Sequence, residues 1–170
     1  MNIQRLEMVK LMLERMIAGS WEIASNMPFD EALGEQCHIT EFDLSTWRSV
    51  DYLATTRNSC GFTACVIGHV CFDEEFRKLG WKWEGSTPVF KDKSHWTGIN
   101  DFFGFDPAKE WGAAELLFID DAYQTLDEDG YWAKMKGDDR RNVIDRIDEL
   151  ITLGEAKFVR KNKKLLDWIS

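Results

Sequence analysis

Hydrophobic positions recur at helical spacing near both ends of the chain, and the pattern breaks into shorter pieces between them. From Ile3 to Ala18 an apolar stripe runs through Leu6, Val9 and Leu13, widened by Met12 and Met16. Gly19 follows at the place of a left-handed terminating glycine. The methionines make this stripe an adaptable core face first and a groove for a partner second. Near the other end, Val143, Ile144, Ile147, Leu150 and Ile151 share one face. Asp138 or Asp139 is the cap, Asp145, Arg146, Asp148 and Glu149 lie outside, and Gly154 is the stop. A last helical piece is expected within 156–170, through Leu165, Leu166, Trp168 and Ile169.

The middle of the chain predicts shorter elements. Phe62 to Cys71 is small or apolar almost all round, which predicts a helix buried on every side. Asn58 or Ser59 would cap it, and Gly61 and Gly68 would let neighbours close in. Asp73 to Leu79 reads as a short helix closed by Gly80, and Thr97 to Phe103 as another closed by Gly104. Asp106 as N-cap and Pro107 at the first helical position start a further helix through Phe118. Residues 21–58, 85–93 and 120–137 read as mostly irregular, with Cys37-His38 and Trp81 to Trp83 as places for a short strand. The expected fold is mainly α: a single compact domain over 1–170, with an N-terminal helix in 1–19 and C-terminal helices in 138–170. Several short helices surround a small buried central one, with room for a minor two-stranded element.

Composition adjusts this picture in three ways. Hydrophobic content of 44% and eight tryptophans supply a sizeable core for 170 residues. A net charge of −9 disfavours direct binding to nucleic acid or to an anionic membrane surface. No apolar run approaches the ~18 residues of a membrane span. The first helix carries Arg5, Glu7, Lys10 and Glu14, which is no signal-peptide pattern. Four cysteines without a secretion signal read as reduced thiols, so the expected location is the cytoplasm.

Two constellations offer chemistry. Cys65 and His69 are four residues apart, about 40° on a helical wheel, and Cys60 precedes them, whereas Cys71 is turned about 240° from Cys65. Cys60, Cys65 and His69 are therefore a three-ligand candidate for zinc, with Cys37, His38 or His95 as a fourth ligand. No Cys-x2-Cys or His-x3-His spacing accompanies them. Structural burial is thus the first reading, zinc the second, and a catalytic thiol at Cys60 the third. The other constellation is acidic. Asp101 to Asp139 holds eleven acids against Lys109, Lys134 and Lys136, a local charge of −8. A solvated face is the default reading. A surface for a basic protein or a DNA mimic competes with it, centred on Asp120, Asp121, Asp127, Glu128 and Asp129. Asp127 to Gly130 resembles part of a calcium loop but lacks the closing glutamate. The tail is basic, with Lys157, Arg160, Lys161, Lys163 and Lys164 against Glu155 and Asp167. It is expected to pair with the acidic stretch of the same chain or of a second copy. No phosphate-binding glycine loop, nucleophile elbow or dinucleotide fingerprint is present, so the expectation leans away from an enzyme and no cofactor is expected.

One set of motifs carries a resemblance. Phe42-Asp43-Leu44-x2-Trp47 precedes Cys60-Gly61-x-Thr63-Ala64-Cys65-x2-Gly68-His69. Leu79-Gly80, Ala114 to Phe118 and Val143 to Ile151 follow. Together, over roughly Phe42 to Ile151, this resembles small proteins of phages and mobile bacterial DNA with a Cys-Gly-Thr-x2-Cys-x2-Gly-His/Trp-Ala core. Here threonine stands third after Cys60 instead of second, and Val70 replaces the usual alanine. The resemblance implies no activity. It implies an accessory gene, a setting in which small acidic proteins bind and inhibit host factors. The expected function is a non-catalytic binding or inhibitor protein acting on a host protein, host defence included, through its acidic surface. The alternatives are a zinc- or small-ligand-binding domain or thiol enzyme at Cys60, Cys65 and His69, and a DNA mimic.

Overall fold

In a computed structural model the described residues are 1–22, 38–42, 49–50, 61–84, 87–106, 112–118, 122–126, 132–135 and 137–169. They form eight helices and eight short strands, and the helices hold most of the regular structure. The protein is mainly α with a minor strand component.

Helix α1 (Ile3–Ile17) starts at Asn2, whose side chain accepts the Arg5 N–H at 3.2 Å. The predicted stripe faces inward: Leu6, Val9, Met12 and Leu13 are fully buried. Gly19 takes the left-handed conformation just past the helix end. Three strands follow, β1 (His38–Phe42), β2 (Ser49–Val50) and β3 (Gly61–Ala64). β3 lies between the other two, parallel to β1 and antiparallel to β2.

The predicted Phe62–Cys71 helix is therefore divided. Its first part is β3. Cys65 is an extended N-cap, and only α2 (Val66–Val70) is helical, with every residue buried. A short apolar run does not distinguish a buried strand from a buried helix by period alone. The expected small central helix exists, shorter and later than its apolar run suggests. Its predicted caps Asn58 and Ser59 lie outside the described residues.

α3 (Glu74–Leu79) is capped by Asp73 and closed by the left-handed Gly80. An antiparallel meander comes next: β4 (Trp81–Glu84), β5 (Thr87–Phe90) and β6 (Lys93–Ser94). The loop expected over Gly85 to Lys93 is thus largely strand. Pro88 suggests a loop, but it pairs with Trp83 on one side only, because β6 meets just Val89 and Phe90. α4 (His95–Phe103) ends at the left-handed Gly104 as expected. Of the helix predicted from Asp106 through Phe118, α5 covers Ala113–Phe118; Gly112 just ahead of it is a bend, and residues 107–111 lie outside the described residues. The hairpin of β7 (Gln124–Leu126) and β8 (Trp132–Lys134) crosses a stretch read as loop. α6 (Asp139–Leu153) begins at the Asp138 cap. α7 (Glu155–Lys161) and α8 (Lys163–Ile169) follow it almost without a break.

These elements share one hydrophobic cluster running from Leu6 to Leu165. α1 packs along α6 and also meets α4 and α2. Phe102 is a focus of the packing. Its ring meets Trp81, Phe90 and Phe103 edge-on at centroid distances of 5.4, 5.0 and 4.9 Å. The Arg5 guanidinium lies over the same ring at 4.5 Å and donates to the Phe102 carbonyl, so the start of α1 satisfies the end of α4.

Gly98 marks the tightest approach in this region. A Cβ there would stand 2.5 Å from the Lys93 carbonyl oxygen. Gly98→Ala is expected to lower stability by roughly 1–3 kcal/mol in urea unfolding, as overpacking does. Thr97→Ala, one position earlier and exposed, should stay within about 0.5 kcal/mol.

Candidate functional site

The densest buried polar arrangement among the described residues is centred on Asp73, where α2 hands over to α3. As N-cap, Asp73 accepts the Glu75 N–H at 3.0 Å with one carboxylate oxygen. The other oxygen accepts Arg15 Nη2 at 2.7 Å, from the last turn of α1, and Trp21 Nε1 at 3.0 Å. The Asp73 N–H donates back to the His69 carbonyl at 3.1 Å. Asp73, 2% exposed, thus ties α1, Trp21 and α3 together through its carboxylate and α2 through its backbone N–H.

His69 completes the arrangement. It is fully buried on α2, and its Nδ1 lies 2.9 Å from the Cys65 carbonyl oxygen. A carbonyl only accepts, so Nδ1 carries the hydrogen in this contact. The imidazole is held between Trp21, edge-on at 5.3 Å, and Phe42 at 5.5 Å. The predicted Cys65/His69 proximity is therefore present, but it joins the histidine ring to a backbone oxygen.

The other sequence candidates fall as follows. Cys65 and Cys71 are buried, and Cys71 Sγ donates to the Lys82 carbonyl at 3.4 Å. His95 is exposed at the start of α4. Cys60, Cys37, Asp120, Asp121, Asp127, Glu128 and Asp129 lie outside the described residues. Among the described residues no group of three histidine, cysteine or carboxylate side chains is placed to hold a metal ion.

The acidic stretch is less uniform than its charge count suggests. Glu115 points inward and accepts the Gly112 N–H at 2.7 Å, three residues back, at the start of α5. Burial pushes its carboxyl above the usual value, opposed by the backbone N–H groups of Gly112 and Glu115. Asp101 pairs with Lys93, and the Arg140 side chain holds the Asp138 carboxyl below its usual range. Of these three acids only Glu115 leaves the surface; Asp101 and Asp138 stay exposed beside Lys93 and Arg140.

A second buried interaction joins the hairpin to α6. The Tyr123 hydroxyl donates to the Leu117 carbonyl, and the Arg146 guanidinium lies 5.1 Å over the Tyr123 ring while donating to the Ala122 carbonyl at 2.6 Å. Burial pushes the Tyr123 phenol upward and the Arg146 guanidinium downward from their usual values. Sequence reasoning placed Arg146 on an outer face and read Asp73 only as a helix start. The caps were the available signal for Asp73. Its partner Arg15 is 58 positions away, beyond any local pattern.

Two measurements check these roles. Asp73→Ala is expected to cost about 2–3 kcal/mol, since Arg15 and Trp21 lose their acceptor along with the α3 cap. A double-mutant cycle with Arg15→Ala should give a coupling near ~1 kcal/mol, because Arg15 keeps 38% of its side chain in water. Glu115 sets a pH dependence of opposite sign to the usual carboxylate. Its folded pKa lies above the unfolded value of 4.5, so the folded state holds the proton more firmly. Stability from this group is present at low pH and falls as pH rises through the folded value. Glu115→Gln should therefore gain on the parent chain in melting temperature as pH rises above about 4.5.

Compared with protein-family models, curated proteins and solved structures, the chain finds no match in any of the three.

Proposed function

We propose that this chain is a non-catalytic binding or inhibitor protein of phage or mobile-element type, docking on a basic surface of a host protein through its acidic residues. The observation that carries the reading is the fate of its reactive side chains. The described thiols, Cys65 and Cys71, are buried within the core. His69 bonds the carbonyl that opens its own helix, Asp73 joins α1 to α3, Glu115 satisfies a helix start, and Tyr123 bonds a carbonyl. General acid–base or nucleophilic catalysis needs such groups within reach of substrate. Binding between proteins needs only a shaped, charged exterior.

The charges left for such contact come from the remaining members of the Asp101–Asp139 stretch, with Asp120, Asp121, Asp127, Glu128 and Asp129 as the central group. Acidic contacts of this kind raise association rates and make binding salt-dependent. No helix among the described residues is long and apolar enough to cross a membrane, so the reading needs no bilayer.

The test is capture from bacterial lysate followed by titration with the purified captured protein. The parent chain should retain a partner at about 0.1 M salt and release it toward 1 M. Reversing Asp120, Asp121, Asp127, Glu128 and Asp129 to lysine should weaken that binding at least about tenfold, or ~1.4 kcal/mol, with an unchanged melting temperature. Binding that survives the reversal, or turnover of a small substrate that depends on Cys60 or His69, would overturn the reading.

A further inference from the structure

We infer that Asn142 and Arg146 of α6, beside the feet of the β7–β8 hairpin, form a binding site for a small carboxylate anion. The two residues are four apart, so they share one face of α6 at successive turns. Asn142 is 7% exposed, and its Nδ2 is buried with no acceptor among the described residues. Arg146 donates from Nη2 to the Ala122 carbonyl. Its Nε and Nη1 are buried and likewise find no acceptor among the described residues. Buried donors are nearly always bonded, so three on one helix face ask for a common acceptor.

The neighbouring chain brings the two side chains to one place. The Arg146 guanidinium lies over the ring of Tyr123, the residue just ahead of β7. The Tyr123 carbonyl accepts the Met135 N–H at 2.8 Å, which closes the two feet of the hairpin. Asn142 sits beside Gly137, two residues past Met135: a Cβ at Gly137 would stand 3.9 Å from Asn142 Oδ1. Neither polar group close by serves as the acceptor. The Tyr123 hydroxyl donates to the Leu117 carbonyl, and Glu149, one turn further along α6, pairs with Lys161.

The chemistry of the donors selects the ligand. All three nitrogens donate, which calls for oxygens that only accept. Arginine keeps its charge when buried, so an anion matches it better than a carbonyl or a water. A carboxylate brings one negative charge to one guanidinium, whereas phosphate brings a larger charge to the same single cation. The nitrogens are shut off from water, which limits the ligand to a small one. The site uses none of the acids assigned to the host-protein contact, so either reading can fail alone.

Sodium acetate is the probe, titrated at pH 7 into the full-length chain against sodium chloride of equal ionic strength. Acetate is expected to raise the melting temperature saturably, by about 5–10 °C at one hundred times its dissociation constant. Calorimetric titration should count one acetate per chain. Arg146→Gln should weaken binding at least about tenfold. Asn142→Asp sets a carboxylate one turn from Arg146, within its reach. That variant should lose the acetate response and melt no lower than the parent chain. Inorganic phosphate should bind at least about tenfold more weakly than acetate. A parent chain that responds alike to acetate and chloride would overturn the inference, as would an acetate response that survives in Asn142→Asp. Phosphate binding as tight as acetate would overturn the carboxylate class. An acetate response gained only in D120N/D121N would assign the donors to the chain's own carboxylates and overturn it too. The titration of the parent chain decides the matter even if Arg146→Gln does not fold.

Discussion

A carboxylate taken out of water must be matched by donors, and Asp73 is where this fold meets that demand. Its two oxygens receive a backbone N–H from α3, a guanidinium from α1 and an indole N–H from Trp21. Each donor comes from a different piece of chain, so the charge is satisfied only when all three pieces are in place. The apolar surfaces of α1 and α2 supply most of the driving force for packing, but they are non-directional. Asp73 adds direction. It fixes the rotation of the end of α1 against the start of α3, and through Trp21 it positions the indole that lies edge-on to His69.

The parts of this fold that sequence made legible are those decided locally. Asp73 and Asp138 cap helices through their own side chains, and Gly19, Gly80 and Gly104 stop them in the left-handed conformation. Such signals depend on residues three or four positions away, so they are readable in one chain. Phe62 to Ala64 is different. Its conformation is set by pairing with His38 to Phe42 and with Ser49-Val50, partners remote in sequence. The same holds for Thr87 to Phe90, whose strand state follows from Trp81 to Glu84 across a turn, and for the β7–β8 hairpin within an acidic stretch. Tertiary pairing overrode the local reading in each case.

The candidate site shows the same division. Spacing alone brought Cys65 and His69 together, and they are together. What spacing could not supply is which atoms meet: the ring nitrogen bonds the cysteine's carbonyl, because Cys65 is the residue that opens α2 and its backbone faces the ring one turn on. Arg15, Trp21 and Asp73 were invisible as a group, since they gather only after α1 has packed. Glu115 was miscounted for a related reason. A charge tally treats every carboxylate as outward-facing, whereas a glutamate three residues into a helix can turn back to the helix start and go under cover.

Charge then organises what the core does not. Two acids of the middle stretch are paired locally: Asp101 with Lys93 and Asp138 with Arg140. On the tail Lys157, Arg160 and Lys164 are exposed and, among the described residues, form no ion pair. Exposed ion pairs contribute little to folding, so this arrangement is neutral for the stability of one molecule.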